Sequence, residues 1–92
     1  MYDRQTIIVN VTGLHTRPAT SFITKAKQYN SKITITNLLT NKSTDAKSVL
    51  RLMSLMLVKD APVSICAEGD DEKEAVDGLI DFINMGAGEQ SV

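Results

Sequence analysis

The chain has 92 residues, 42% hydrophobic and 23% charged, and its ten Lys and Arg are offset by eleven Asp and Glu for a net charge of −1. That is globular composition on a length suited to one hydrophobic core, and it disfavours a disordered chain, a coiled coil and a nonspecific nucleic-acid binder. The single cysteine, Cys66, and the single histidine, His15, exclude an intrachain disulfide, Cys/His zinc sites and multi-His metal sites.

Met1 to Gln5 carry no basic region followed by an apolar stretch, and no apolar run approaches the ~18 residues of a membrane span. A cytoplasmic protein is expected, with neither membrane insertion nor nucleic acid among its interactions. One domain is expected over residues 1–92, with an ordered core from about 2 to 85 and a fraying tail at 86–92.

The β-branched run Thr6 to Val11 predicts a first strand that ends in the turn chemistry of Thr12 and Gly13. From Pro18 to about Tyr29, Ala19, Phe22, Ile23, Ala26 and Tyr29 recur at helical spacing, with Pro18 in the first turn and Thr16 as the cap. Lys32 to Thr36 alternates as a half-buried strand and should pair with a short strand near Lys42 to Thr44, across a turn at Asn37 to Asn41. Ser48 to Leu57 is ambiguous by period, but its Leu and Met content and Ser48 as cap favour a short helix.

Pro62 to Ala67 predicts a last strand with Val63 and Ile65 inward and Ser64 and Cys66 outward. After Glu68-Gly69-Asp70, the spacing of Val76, Leu79, Ile80 and Ile83 predicts a helix, with Asp70, Asp71, Glu72 and Glu74 at its positive end and a stop at Gly86. The order βαββαβα implies an α+β fold, a small, mostly antiparallel sheet with helices on one face.

His15 falls between the first strand and the first helix, followed by Thr16, Arg17 and Pro18. A helix N-terminus offers unpaired N–H groups and partial positive charge, so an anion beside His15 would be held there, and Arg17 adds a forked donor suited to phosphate. An imidazole of unperturbed pKa about 6.5 is largely neutral near pH 7 and can act as a nucleophile. Taken alone, a histidine after a strand is more often a turn or capping residue, and Arg17 a solvated first-turn charge.

Gly13-Leu14-His15-Thr16-Arg17-Pro18-Ala19 resembles the phosphohistidine signature of HPr, the phosphocarrier of the bacterial phosphoenolpyruvate-dependent sugar phosphotransferase system. The likeness continues through Lys47-Ser48, Leu52-Met53-Ser54-Leu55 and Ala67-Glu68-Gly69-Asp70. It implies an open-faced β-sandwich, a four-stranded antiparallel sheet of order 1-4-2-3 with three helices on one face. It also implies a carrier rather than a free-standing enzyme, which takes a phosphoryl group on His15 Nδ1 from phosphorylated enzyme I and passes it to a sugar-specific enzyme IIA. Arg17 would stabilise the phosphate with Thr16 and Pro18 at the helix N-terminus, and no metal or organic cofactor is implied.

By the same likeness Val49, Leu50 and Met53 form an apolar patch that docks enzyme I and enzyme IIA, although apolar residues at this spacing are by default core. Arg51 and Lys27 would steer acidic partners, and Thr16, Arg17, Thr20 and Ser54 would complete the rim. Ser48 matches the serine that an HPr kinase/phosphorylase modifies in some relatives; its plain role is an N-cap, and a phosphate there would impair docking. The alternative function is therefore a regulatory HPr-like binding module acting through Ser48 and the apolar patch. A metal or nucleic-acid binding module on the same fold lacks ligands and basic surface.

Three features depart from the family. Met56 stands where most members have glycine, Asp60 where a turn glycine is common, and the turn at Leu38 to Asn41 is longer, as in the nitrogen-branch relative and in fructose-branch HPr-like domains. The sugar, nitrogen and fructose branches all remain open. Cys66 is read as a packing residue rather than a reactive thiol. With Ile8, Ile33, Ile35, Val63 and Ile65 facing the helices, Ile7, Val9 and Cys66 are expected as neighbours on the open sheet face, where they would mark a self-association or domain contact; otherwise a monomer is expected.

Overall fold

The computed structural model describes residues 1–9, 13–14 and 17–86. Its elements run β1 (Tyr2–Ile7), α1 (Arg17–Ala26), β2 (Lys32–Asn37), β3 (Lys42–Asp45), α2 (Val49–Ser54), β4 (Pro62–Glu68) and α3 (Glu72–Asn84). The four strands form one antiparallel sheet of order β1-β4-β2-β3, which puts β1 and β3 at the edges.

The alternation in β2 and β4 sends Ile33, Ile35, Val63, Ile65 and Ala67 to one face, where all are buried. The helices cover that face with Phe22, Ile23 and Ala26 from α1, Leu52 from α2, and Val76, Leu79, Ile80 and Ile83 from α3. Phe22 and Phe82 meet tilted with centroids 6.4 Å apart, a geometry that contributes about 0.5–1.5 kcal/mol beyond area burial.

The first strand lies earlier than its β-branched run suggests, at Tyr2–Ile7 instead of from Thr6 to Val11. Its ladder with β4 ends where Ile7 meets Pro62, which has no N–H to give. Ile8 still exchanges bonds with Ala61 and Asp60, at 3.0 and 2.8 Å. The polar residues Asp3, Arg4 and Gln5 are tolerated because β1 is an edge strand: Arg4 pairs with Asp77 of α3 at 3.0 Å, and Tyr2 donates to the same carboxylate. Asn10, Val11 and Thr12 lie outside the described residues.

The helix α1 ends at Ala26 instead of about Tyr29, because the chain tightens into three-residue turns, Gln28 N–H to the Lys25 carbonyl and Tyr29 N–H to the Ala26 carbonyl. Asp71 accepts the Asn30 and Ser31 amides and the Ser31 hydroxyl, and the Lys47 ammonium donates to the Tyr29 and Ser31 carbonyls at 2.8 and 3.0 Å. The bonds from Ser31 and Asn30 lower the carboxyl pKa of Asp71 below the ordinary aspartate value, the Ser31 hydroxyl contributing most and the Asn30 amide next.

The expected apolar group of Ile7, Val9 and Cys66 is divided: Ile7 and Val9 are both exposed, but Cys66 lies apart from them. Cys66 is opposite Asp3 on β1 and Thr34 on β2, whereas Ile7 is opposite Pro62 at the far end of the ladder. Burial, followed by the Asp3 carboxylate, raises the Cys66 thiol pKa, which suits a packing residue. No helix among the described residues is long and apolar enough to cross a membrane.

Candidate functional site

The described residues on either side of the histidine, Gly13 and Leu14 before it and Arg17 after it, are each placed by distinct contacts. On the strand side Gly13 has φ 68, a conformation that L side chains rarely adopt, and a Cβ there would collide with the Leu57 carbonyl oxygen. That close approach lets the Leu14 N–H donate to the same carbonyl at 2.8 Å, and the Leu14 side chain is 1% exposed in the core. On the other side α1 begins at Arg17, with Pro18 and Ala19 buried and no acidic residue in its first turn. The positive end of α1 is therefore uncompensated within the helix, and the exposed Arg17 adds a full charge there. His15 and Thr16, including the expected cap by Thr16, lie outside the described residues.

The second helix packs beside the first. Ser48 is its N-cap, with extended backbone and its hydroxyl accepting from the Arg51 N–H at 3.5 Å. Leu50 is 84% exposed and Val49 is also exposed, so neither belongs to the core; Met53 is half-buried and packs against it. Arg51 and Ser54 are exposed, and the Ser54 hydroxyl donates to the Arg51 carbonyl at 2.6 Å.

Thr20 is exposed one turn along α1 from Arg17, on the helix that adjoins α2. Lys27 is exposed beyond the far end of α1, roughly 15 Å of helix away from Arg17, so the structure does not bring it to the Arg17 end.

The helix α2 stops at Ser54, short of the expected Leu57, because Met56 has φ 53 and the last amides fold back on Leu52 and Met53. Asp60, with φ 71, is the second non-glycine left-handed residue of this loop. Both departures from the family's glycines thus keep the backbone conformation that a glycine supplies freely. Among the described residues no group of three or more His, Cys, Asp or Glu is arranged to hold a metal. Among the described residues the groups whose pKa is displaced are the Met1 amine ahead of β1, Cys66 of β4, and Asp71, Glu72, Lys73 and Asp77 of α3 and its cap.

The family model described as "PTS HPr component phosphorylation site" matches residues 2–85. The chain is 46% identical to the phosphocarrier protein HPr of Vibrio cholerae over 85 residues, 92% of this chain and 98% of that one. The chain belongs to the HPr family. Among solved structures, HPr-C-His from Thermoanaerobacter tengcongensis matches with a TM-score of 0.92 at 40% identity, covering 99% of this chain and 100% of that one. A structure of an HPr dimer from the same organism matches with a TM-score of 0.75 at 40% identity, covering 97% and 100%.

Within that HPr frame, two residues act through partners distant in the chain, Asn37 beside the α2 end and Lys47 at the far end of α1 from Arg17. Lys47 holds the end of the α1 loop next to the Ser48 cap, through an ammonium whose acceptors are distant carbonyls. Asn37 was expected in the turn and is instead the last residue of β2, buried on the helix side. Extending the Ile33, Ile35 alternation by one step places Asn37 inward, and that is the signal that finds it.

Proposed function

We propose that this chain is a phosphocarrier that accepts a phosphoryl group on His15 from phosphorylated enzyme I and passes it to a sugar-specific enzyme IIA. The observation that carries the reading is the family match over residues 2–85 together with the intact Gly13-Leu14-His15-Thr16-Arg17-Pro18 motif at the start of α1. In the accepting step the lone pair of a neutral His15 ring nitrogen, Nδ1, forms the N–P bond as the bond from phosphorus to the donor breaks, and the onward step reverses this on the acceptor. Such transfer depends on positioning and charge stabilisation, so a small carrier needs few groups of its own. Arg17 and the N-terminal amides of α1 supply the charge stabilisation.

Val49, Leu50, Arg51 and Met53, with Thr16, Thr20 and Ser54, form the transient docking surface, and Lys27 contributes steering charge at longer range. The exposure of Val49 and Leu50 supports this, because burial in the chain's own core does not account for them. The chain acts as a monomeric carrier in the cytoplasm, residues 1–92 forming one HPr-like domain. Incubation with phosphoenolpyruvate and enzyme I, followed by intact mass before and after brief acid treatment, tests the reading. One acid-labile phosphoryl group, absent in His15→Ala, is expected; retention of phosphate by His15→Ala would identify another nucleophile and overturn the assignment.

A further inference from the structure

Asn37 is 3% exposed and has both ends of its amide engaged. Its Oδ1 accepts from the Leu39 N–H at 2.9 Å, a local bond that closes the β2–β3 turn. Its Nδ2 reaches across the molecule and donates to the Leu55 carbonyl at 2.8 Å. Leu55 caps the C-terminus of α2, where carbonyls have no partner within the helix, so the Asn37 amide fills a vacancy that the helix end creates.

Two residues later the buried Leu57 presents the carbonyl that accepts the Leu14 N–H. The single residue between the two carbonyl-bearing residues is Met56 at φ 53, a narrow well that leaves the link little freedom to adjust. The path runs from the Asn37 amide to the Leu55 carbonyl, through Met56 to the Leu57 carbonyl, and on to Leu14. It ends one residue before His15.

We infer that Asn37 is a positioning residue for phosphoryl transfer: its amide fixes the Leu55 carbonyl, and through Met56 and Leu57 this sets the backbone that leads into His15. The inference rests on His15 being the phosphoryl acceptor. Asn37 acts through Leu55, Leu57 and Leu14 and supplies no reacting group. Its effect is geometric, and a misplacement of about 1 Å at a reacting atom is enough to slow a step by roughly 100-fold.

Loss of a buried amide also lowers stability, so melting alone does not separate a positioning role from a structural one. Asn37→Asp keeps an acceptor for the Leu39 N–H while removing the donor to Leu55, and Asn37→Ser, a milder change, covers the case in which the first variant folds poorly. Ile80→Val, a core change remote from this path, controls for lost stability. The readouts, taken well below every midpoint of unfolding, are the Leu14 amide proton shift, the His15 titration midpoint by NMR, and kcat and KM for phosphorylation by phosphorylated enzyme I.

Both Asn37 variants should move the Leu14 amide proton upfield, displace the His15 midpoint and lower kcat by roughly 10- to 100-fold with KM for enzyme I unchanged; Ile80→Val should leave all of these at wild-type values. A wild-type kcat and Leu14 shift in the Asn37 variants, whatever their loss of stability, would overturn the positioning role alone. Failure of the wild-type chain to take phosphate on His15 would remove the acceptor reading and the role of Asn37 with it.

Discussion

Replacing Gly13 with alanine tests the close approach on which the site is built. The residue sits at φ 68, and the left-handed region costs an L-residue with a Cβ about 1–2 kcal/mol. The new Cβ also strikes the Leu57 carbonyl oxygen, a backbone atom that cannot swing aside as a side chain would. Moving it weakens the 2.8 Å bond from the Leu14 N–H, and a buried donor left unpaired costs about 1–3 kcal/mol. Alanine returns about 0.4–1 kcal/mol by restricting the unfolded chain, so the net loss is about 1.5–4 kcal/mol. For a domain of this size that is a fall in Tm of roughly 6–30 °C. Urea unfolding followed by circular dichroism, with the m-value checked for constancy, measures it. Gly13→Asn separates the causes: asparagine tolerates the left-handed region but brings the same Cβ, so a loss close to that of alanine assigns the cost to the collision. A loss below about 0.5 kcal/mol for Gly13→Ala would refute the reasoning, because it would mean that residues 13 and 57 part without consequence.

Met56→Gly should act in the opposite direction, raising stability by a few tenths to about 1 kcal/mol, because it relieves φ 53 at a side chain that is 75% exposed; a lowered urea midpoint would contradict this. Arg17→Ala should slow phosphoryl transfer on the order of 10-fold or more while changing stability by less than about 0.5 kcal/mol, as judged by single-turnover kinetics beside thermal melting. Leu50→Asp should raise KM for enzyme I on the order of 10-fold with little change in Tm, since the side chain stands in solvent; an unchanged KM would remove Leu50 from the docking surface. The Asp71 carboxyl titrates below its ordinary value of 3.8, so its bonds to Ser31 and Asn30 contribute stability at higher pH that is lost as pH falls through 3.8 and below. In Asn-substituted protein, Asp71→Asn, the acid limb of a stability-against-pH curve should be shallower over that window, and an unchanged limb would assign the acid sensitivity elsewhere.

Local chemistry alone determined much of this protein. Helical spacing in Val76, Leu79, Ile80 and Ile83 and strand alternation in Ile33, Ile35, Val63 and Ile65 mark the residues that the core buries, because one face of each element must leave water. The run from Gly13 to Ala19 carried the family likeness without any tertiary information, since motif residues adjacent in sequence act at one place. The left-handed demand at Met56 and Asp60 was likewise legible, as departures from glycine whose backbone conformation persists.

Other features depended on partners distant in the chain. Polar Asp3, Arg4 and Gln5 carry no strand signal, and they form β1 because β4 offers a ladder and Asp77 of α3 offers a partner. The separation of Cys66 from Ile7 is a matter of register, which pairing between strands sets and composition does not. Leu50 reads as core by spacing and stands exposed because α2 turns its Leu52 side, not its Leu50 side, to the core, a choice that packing makes and spacing does not. Asn37 resembles an ordinary turn residue, and Lys47 is legible only as part of the likeness, until folding brings the carbonyls of Leu55, Tyr29 and Ser31 to them, because a hydrogen bond is specified by both of its ends and the sequence shows only one at a time.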